Sequence, residues 1–318
     1  MNPKVSILIP VYKAEQYIAE CLQSVFEQSY DNIEYILVND ASPDNSIAIA
    51  TNEIKNYPHR EPFVKIINNE TNKGIAVTRN ILISNASGDY IYFVDSDDFI
   101  EPNTIETFVE TARNEKADIV RCNYYKYYDG RSYPVIRTPY PLSEDILALC
   151  LANDNNMQSL CFLFIHRALI TKYHLTFPQN INGCEDFLMT IKLFYYTNKV
   201  VDIPNTLYYY RLDNTDSITH QAKTFRTHSI QAVMEIVSFL KEKKIDKHYH
   251  EQLLLLKFTS KQHFLINRCI RDIDKYINTF PESNSCYKKY NYPYKQKFLF
   301  FLAEHKQISL LKFILKFI

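Results

Sequence analysis

Three carboxylates fall within four residues, Asp95, Asp97 and Asp98, directly after the apolar run Tyr90-Ile91-Tyr92-Phe93-Val94. Like charges repel and burial disfavours the ionised form, so such a group at the end of a buried strand needs a cation or hydrogen-bond donors. Hard oxygen ligands suit Mg²⁺ or Mn²⁺, which keep several waters and complete their shell with phosphate oxygens. The plainer alternative is a solvated helix cap, with Asp98 standing before a helix read over residues 102–115.

Five other residues carry groups able to do chemistry. Asp40 closes the run Leu37-Val38-Asn39, where its carboxylate can accept from a base N–H or cap the next turn. Arg79 lies on a helix opened by Lys73-Gly74, a place suited to a diphosphate, although an arginine on a helix is usually a surface ion pair. Glu185-Asp186 opens the apolar helix that continues through Phe187-Leu188-Met189, as a general base or as a helix cap. Arg211 follows Tyr208-Tyr209-Tyr210 and leads into Asn214-Thr215-Asp216-Ser217-Ile218-Thr219, a polar stretch that an ordinary strand-to-helix loop also explains. The nine histidines form no metal-type pairing, and no Gly-x-Ser-x-Gly frames a serine nucleophile, which weakens hydrolase readings.

The elements that must position these groups alternate. Residues 5–10, 33–38, 64–68 and 90–94 read as strands, and residues 14–28, 46–55 and 74–86 read as helices by apolar spacing. Strand-helix alternation implies a parallel sheet covered on both faces, with ligands beyond the carboxyl ends of its strands. Pro10-Val11-Tyr12, Asn39-Asp40 and the aspartate cluster all fall on that rim. Between 117 and 216 the pattern is mixed, with strands at 118–128 and 206–211 and helices at 144–151 and 186–197. Beyond 224 it is helical and lysine-rich, so the expected division is 1–220 for a catalytic domain and 221–318 for a helical region.

Bulk composition narrows the classes. The 318 residues are 46% hydrophobic and 23% charged, enough apolar material for a sizeable core. Lys plus Arg equals Asp plus Glu at 36 each, so no global charge points to nucleic acid. With only 4 glycines, the chain cannot supply a Gly-x-Gly-x-x-Gly or Walker A loop. The 7 cysteines are scattered and form no Cys-x-x-Cys pair, which suits a reducing, cytoplasmic compartment. The first apolar stretch is too short for a signal peptide, and no run is long enough to span a membrane.

Four motifs in order, Val5-Ser6-Ile7-Leu8-Ile9-Pro10-Val11-Tyr12, the segment 33–46 with Asn39-Asp40-Ala41-Ser42, Asn72-Lys73-Gly74 through Arg79-Asn80, and Gly88-Asp89-Tyr90 through Asp98, resemble the family 2 glycosyltransferases. Gly183-Cys184-Glu185-Asp186 and Tyr209-Tyr210-Arg211 through Thr219 carry the likeness to about residue 220. The resemblance implies a Rossmann-like GT-A fold, a mostly parallel sheet flanked by helices, with a helical C-terminal extension. It implies a nucleoside-diphosphate sugar donor, with uracil as the expected base, and transfer with inversion to a hydroxyl of a glycan or lipid-linked acceptor in surface polysaccharide biosynthesis. On this reading Pro10, Tyr12 and Asp40 line the base and ribose site, and Arg79 approaches the nucleotide. Asp97 binds the divalent metal, Mg²⁺ or Mn²⁺, with Asp95 nearer the ribose. Asp186 is the leading general base and Glu185 its runner-up, while Arg211 and the loop 216–219 close over the diphosphate or the acceptor. Relatives commonly carry Asp-Asp where this chain has Asn39-Asp40, and often Gly where it has Ala41.

Residues 295–318 hold five lysines against one glutamate, and within 308–318 the polar positions Ser309, Lys312 and Lys316 form one stripe on an apolar helix. Two uses stay open for this segment: peripheral contact with the inner face of the plasma membrane, or packing on the body or in a homodimer. Two other classes fit the whole chain less well. A catalytically inactive nucleotide-sugar-binding or scaffold protein would have no need to retain both Asp97 and Asp186. A nucleotidyltransferase expects a glycine-rich basic loop that Ile9-Pro10-Val11-Tyr12-Lys13 does not provide.

Overall fold

The computed structural model describes residues 2–137, 139, 145–152, 159–214 and 222–316. In chain order the elements are β1 (Val5–Val11), α1 (Ile18–Phe26), β2 (Ile33–Asn39), α2 (Ser46–Lys55), β3 (Val64–Asn68), α3 (Ile75–Asn85), β4 (Tyr90–Phe93), β5 (Phe99–Ile100), α4 (Thr104–Glu115), β6 (Ile119–Tyr128), β7 (Arg131–Val135), α5 (Ile146–Leu151), β8 (Leu163–His166), α6 (Arg167–Lys172), α7 (Glu185–Tyr196) and β9 (Val200–Arg211). Helices follow as α8 (Ala222–Glu242), α9 (His250–Lys261), α10 (His263–Ile266), α11 (Ile273–Asn278), α12 (Tyr294–Glu304) and α13 (Ile308–Ile314). Two compact units result, Met1–Glu144 with Gln158–His220, and Asp145–Met157 with Gln221–Ile318.

The first unit is built on a sheet of order β3-β2-β1-β4-β8-β6-β9-β5, with β7 paired to β6. β1 pairs in parallel with β2 and β4, and β2 with β3, so these four strands end on one rim. All seven residues of β1 are buried, the continuous burial expected of a strand covered on both faces. Helix α1 turns Ile18, Cys21, Leu22, Val25 and Phe26 onto that core, at the spacing of one helical face. Phe108 of α4 stacks on Phe164 of β8, ring centroids 5.1 Å apart, and meets Tyr92 of β4 at 5.1 Å. Truncating Phe108 to alanine would cost about 3–5 kcal/mol by the usual scale for buried aromatics.

Several boundaries differ from the sequence pattern. The helix read over 14–28 starts only at Ile18, because Ala14 to Tyr17 form a turn first, with the Tyr17 N–H on the Ala14 carbonyl. Short strands β5, β7 and β8 carry little periodicity of their own and are held by their partners, β8 running antiparallel to both β4 and β6. β9 begins at Val200, well before the tyrosine run, and pairs in parallel with β6.

In the second unit Asp145 caps α5 by accepting from the Leu147 and Ala148 N–H groups, and Tyr249 donates to its other oxygen at 2.6 Å. The core of this unit gathers Phe258, Phe264, Tyr276, Phe300, Leu302 and Leu311. Lys261 is fully buried there, its ammonium donating to the Thr279 and Phe280 carbonyls and to Asn284 Oδ1. Among the described residues no helix is long and apolar enough to cross a membrane.

Candidate active site

The rim at the ends of β1, β2 and β4 gathers most of the chemistry-bearing residues. Asp98 does not cap a helix; β5 intervenes, and α4 starts at Thr104 after Asn103. Instead Asp98 is 2% exposed and accepts from the Tyr208 hydroxyl at 2.6 Å and the Arg211 backbone N–H at 2.8 Å. Asp97 Oδ2 accepts from Asn214 Nδ2 at 2.7 Å, and the Asp95 backbone N–H donates to the Tyr208 hydroxyl at 3.2 Å. Burial, then the Asp97 and Asp95 charges, push the Asp98 carboxyl well above the usual carboxylate range. Asp97 is raised for the same reasons, burial first and then Asp95. Protein donors therefore do not fully balance the cluster.

Arg79 joins this cluster to the Glu185-Asp186 pair. It sits on α3, is 4% exposed, and reaches Asp95 Oδ1 at 3.1 Å, Glu185 Oε1 at 2.6 Å and Asp186 Oδ1. Burial pulls its pKa down, but the Asp95 and Glu185 charges outweigh that and hold it above the ordinary value. The turn before α7 uses left-handed backbone at Gly183 and Cys184, φ 116° and 70°, which brings Glu185 back over the Gly183 N–H at 2.5 Å. Glu185 is thereby engaged on both oxygens and is 5% exposed. Asp186 keeps more freedom. Its Oδ2 has only 3.4 Å contacts, with Ser159 Oγ and the Leu160 N–H, and its side chain is 17% exposed.

Asp40 is buried at the end of β2 and accepts from the Lys73 and Gly74 N–H groups and Asn69 Nδ2, each at 2.8 Å. Its carboxylate thus ties the loop ahead of α3. Gly74 there has φ 84°, and a Cβ would come 2.5 Å from Asn182, so both the backbone angle and the space call for glycine. Pro10 is buried within β1 opposite Val38, whereas Tyr12 is 44% exposed beyond the strand end. Arg211 Nε donates to the Asp97 carbonyl at 2.8 Å, its Nη2 pairs with Glu20, and its guanidinium lies over Tyr17, Phe99 and Tyr127. The segment 216–219 lies outside the described residues.

Sequence reasoning passed over three side chains that organise this site. Tyr208 bridges Asp98 and the Asp95 backbone, Asn214 holds Asp97, and Asn182 accepts from the Ala76 N–H at the start of α3 at 3.3 Å. The tyrosine run and the polar stretch after Arg211 were visible signals for the first two. Asn182 offered none.

The donor set suits a divalent cation of the Mg²⁺ or Mn²⁺ kind. Among the described residues no three His, Cys, Asp or Glu side chains form a cage for a metal. The clustered oxygens of Asp95 and Asp97, partly exposed on the rim beside the buried Asp98, match ions that take one or two carboxylates and fill the shell with phosphate and water.

Known proteins resemble this chain in sequence and fold. The family model for Glycosyl transferase family 2 matches residues 6–173. The uncharacterized glycosyltransferase EpsJ of Bacillus subtilis (strain 168) is 32% identical over 225 residues, 69% of this chain, and the match spans 64% of that protein. S. aureus TarS 1–349 in complex with UDP-GlcNAc matches with TM-score 0.69 at 21% identity, over 96% of this chain and 88% of that one. The mannosyltransferase PcManGT from Pyrobaculum calidifontis, in complex with GDP-Man and Mn²⁺, matches with TM-score 0.60 at 16% identity, over 98% and 81%. The two structures share the α/β fold of the first unit with its flanking helices, the GT-A fold that the motifs implied. From the family match over more than half its length, the chain belongs to glycosyltransferase family 2.

Proposed function

We propose that this chain is an inverting glycosyltransferase that moves a sugar from a nucleoside-diphosphate donor, UDP-linked, to a hydroxyl of a glycan or lipid-linked acceptor in surface polysaccharide synthesis. The observation that carries the reading is the buried Arg79, whose one guanidinium touches both Asp95 and Asp186. A donor-side carboxylate and a base-side carboxylate are thereby held within one side chain's span. The complex of the TarS neighbour with UDP-GlcNAc supports a UDP-linked donor, and that of PcManGT with Mn²⁺ supports the cation.

In this mechanism Pro10 and Tyr12 line the base and ribose site, and Asp40 shapes it by tying the Lys73–Gly74 loop. Asp97 would hold the metal with Asp95 beside it, and such a cation would supply positive charge to offset that growing on the departing diphosphate. Asp186 takes the proton of the acceptor hydroxyl as that oxygen bonds to the anomeric carbon and the bond from that carbon to the diphosphate oxygen breaks. Single displacement inverts the centre and needs no covalent enzyme intermediate. Glu185 positions Arg79 and the α7 turn, since both its oxygens are engaged. Arg211 braces the cluster, its backbone N–H donating to the Asp98 carboxylate and its Nε to the Asp97 carbonyl, and stands ready for the diphosphate or acceptor.

The test is calorimetric titration of UDP with and without Mn²⁺. Binding should require the metal in the native protein and vanish in Asp97→Ala, whereas Asp186→Asn should keep UDP binding and lose transfer by about 10²–10⁴-fold. Metal-independent binding, or none, would sink the donor-site assignment.

The second unit supports a membrane-facing role at the cytoplasmic side. Tyr294, Phe298 and Phe301 recur at four- and three-residue steps along α12 and are 84%, 41% and 42% exposed. Leu310 and Phe313 on α13 are also exposed, and lysines 295, 306, 312 and 316 stand among them. Exposed apolar side chains with exposed lysines in the same segment match an anionic lipid surface.

A further inference from the structure

Arg121 on β6 and Arg137 just beyond β7 line a cavity of about 100 Å³ together with Asn123, Ile136, Asp202 and Pro204. Arg121 turns the Nε–Nη2 edge of its guanidinium to Asp202, with Nη2 2.7 Å from Oδ2 and Nε paired with Oδ1. That edge carries two parallel N–H bonds and fits two oxygens of one oxyanion. Arg137 has the same two atoms, Nε and Nη2, buried with no hydrogen-bond partner among the described residues.

The surroundings hold the Arg137 plane without supplying an acceptor. Its guanidinium carbon lies 4.3 Å from the Phe162 ring centroid and 5.1 Å from that of Tyr124. Asn123 is committed elsewhere, its Oδ1 accepting from the Arg137 backbone N–H and its Nδ2 donating to the Pro204 carbonyl. Burial, and then the neighbouring Arg121 charge, pull the Arg137 pKa below its ordinary value. Two buried N–H donors with no acceptor among the described residues are unfavourable, so the cavity is incomplete on its Arg137 side.

We propose that the cavity is a binding site for a phosphate group, gripped side-on by Nε and Nη2 of Arg137. Its volume is several times what one water needs, room for a tetrahedral group. Ile136 at its edge is 66% exposed, which leaves an entrance. The site lies one aromatic layer from the carboxylate cluster: Phe162 meets Tyr208 at 5.4 Å, and the Tyr208 hydroxyl is on Asp98. Under the transferase reading above, a phosphate carried by the acceptor would anchor it beside the reaction centre. The cavity's affinity for phosphate does not depend on that reading.

Calorimetry with inorganic phosphate, metal-free, on native protein, Arg137→Lys and Arg137→Gln tests the site. Phosphate should bind the native chain, bind about tenfold more weakly to the lysine variant, which keeps the charge but loses the fork, and not bind the glutamine variant. Equal binding to all three, no binding to the native chain, or acetate binding as tightly as phosphate would overturn the proposal. If Arg137→Gln fails to fold, the lysine variant carries the comparison. A glycerol phosphodiester run in parallel separates the sources: Arg137-dependent binding of the diester supports a phosphate delivered on the acceptor, and binding of inorganic phosphate alone supports a free anion at the same site. UDP titrated with Mn²⁺ into each variant keeps the two readings apart, because loss of UDP binding everywhere with phosphate binding intact fails only the transferase reading.

Discussion

At the strand ends of the first unit, Asp40, Arg79, Asp98 and Glu185 are all at most 5% exposed, whereas on the last two helices of the second unit Phe298, Phe301, Leu310 and Phe313 are all at least 41% exposed. One region buries charge and the other displays apolar surface. Each runs against the ordinary partition of side chains, and each is costly in isolation, so each points to a group the chain alone does not provide. The difference lies in how the cost is handled. At the rim, carboxylates are interlocked through Arg79, Tyr208, Asn214 and backbone N–H groups; on α12 and α13 the phenyl rings of Phe298, Phe301 and Phe313 keep much of their surface exposed. A rigid polar scaffold suits the positioning of reacting atoms, and an exposed apolar face suits a soft surface such as lipid.

The largest effect that could break this contrast is expected from Arg79→Ala. Removing it leaves Asp95, Glu185 and Asp186 facing one another, and urea unfolding should report a loss of about 3–5 kcal/mol. A loss below about 1 kcal/mol would mean that the rim charges are solvated, and the contrast with the helical unit would fall.

Next comes Lys261, the buried charge of the second unit. Burial pushes its ammonium down to about 7. The unfolded chain therefore binds the extra proton between pH 7 and roughly 10.4, and stability should rise with pH across that window and stay flat below it. Its three oxygen acceptors offset part of the penalty, so the rise from pH 7 to 10, measured against Lys261→Met, should be about 2–3 kcal/mol. A parallel course for the two proteins would remove Lys261 as a buried titrating group.

A smaller effect concerns the apolar face. Phe298→Ser with Phe301→Ser should weaken co-sedimentation with anionic vesicles by about tenfold, roughly 1.4 kcal/mol, and leave neutral vesicles unbound throughout. Unchanged sedimentation, accompanied by a shift from dimer to monomer in ultracentrifugation, would instead give that face to a second copy of the chain.

The smallest is a backbone effect at the rim itself. Ala41 adopts φ 52°, the left-handed region, directly after Asp40. Ala41→Gly should stabilise the protein by about 1 kcal/mol in thermal or urea melts, because glycine reaches that angle without a Cβ clash. A destabilisation would show that unfolded-state entropy outweighs the strain.

Strand-helix alternation over the first hundred residues was legible because each element carries its own periodicity: β1 is apolar but for Ser6, and α1 repeats its apolar positions at helical spacing. The carboxylates at 95–98 and 185–186 were legible as candidates because chemistry depends on residue type, which a sequence states outright. What the tertiary structure alone decided is who meets whom. Arg79 lies 106 positions from Glu185 in the chain, and Tyr208 lies 110 from Asp98, yet both pairs are in hydrogen-bond contact. No local pattern encodes such pairs, since they follow from strand order and from the left-handed turn at Gly183-Cys184 that aims α7. For the same reason β8, too short to announce itself, became legible only through its ladders with β4 and β6, and the Arg137 cavity only once Arg121 had taken Asp202. Residue chemistry and local period are properties of neighbours in sequence, while burial, pairing and unpaired charge are properties of neighbours in space.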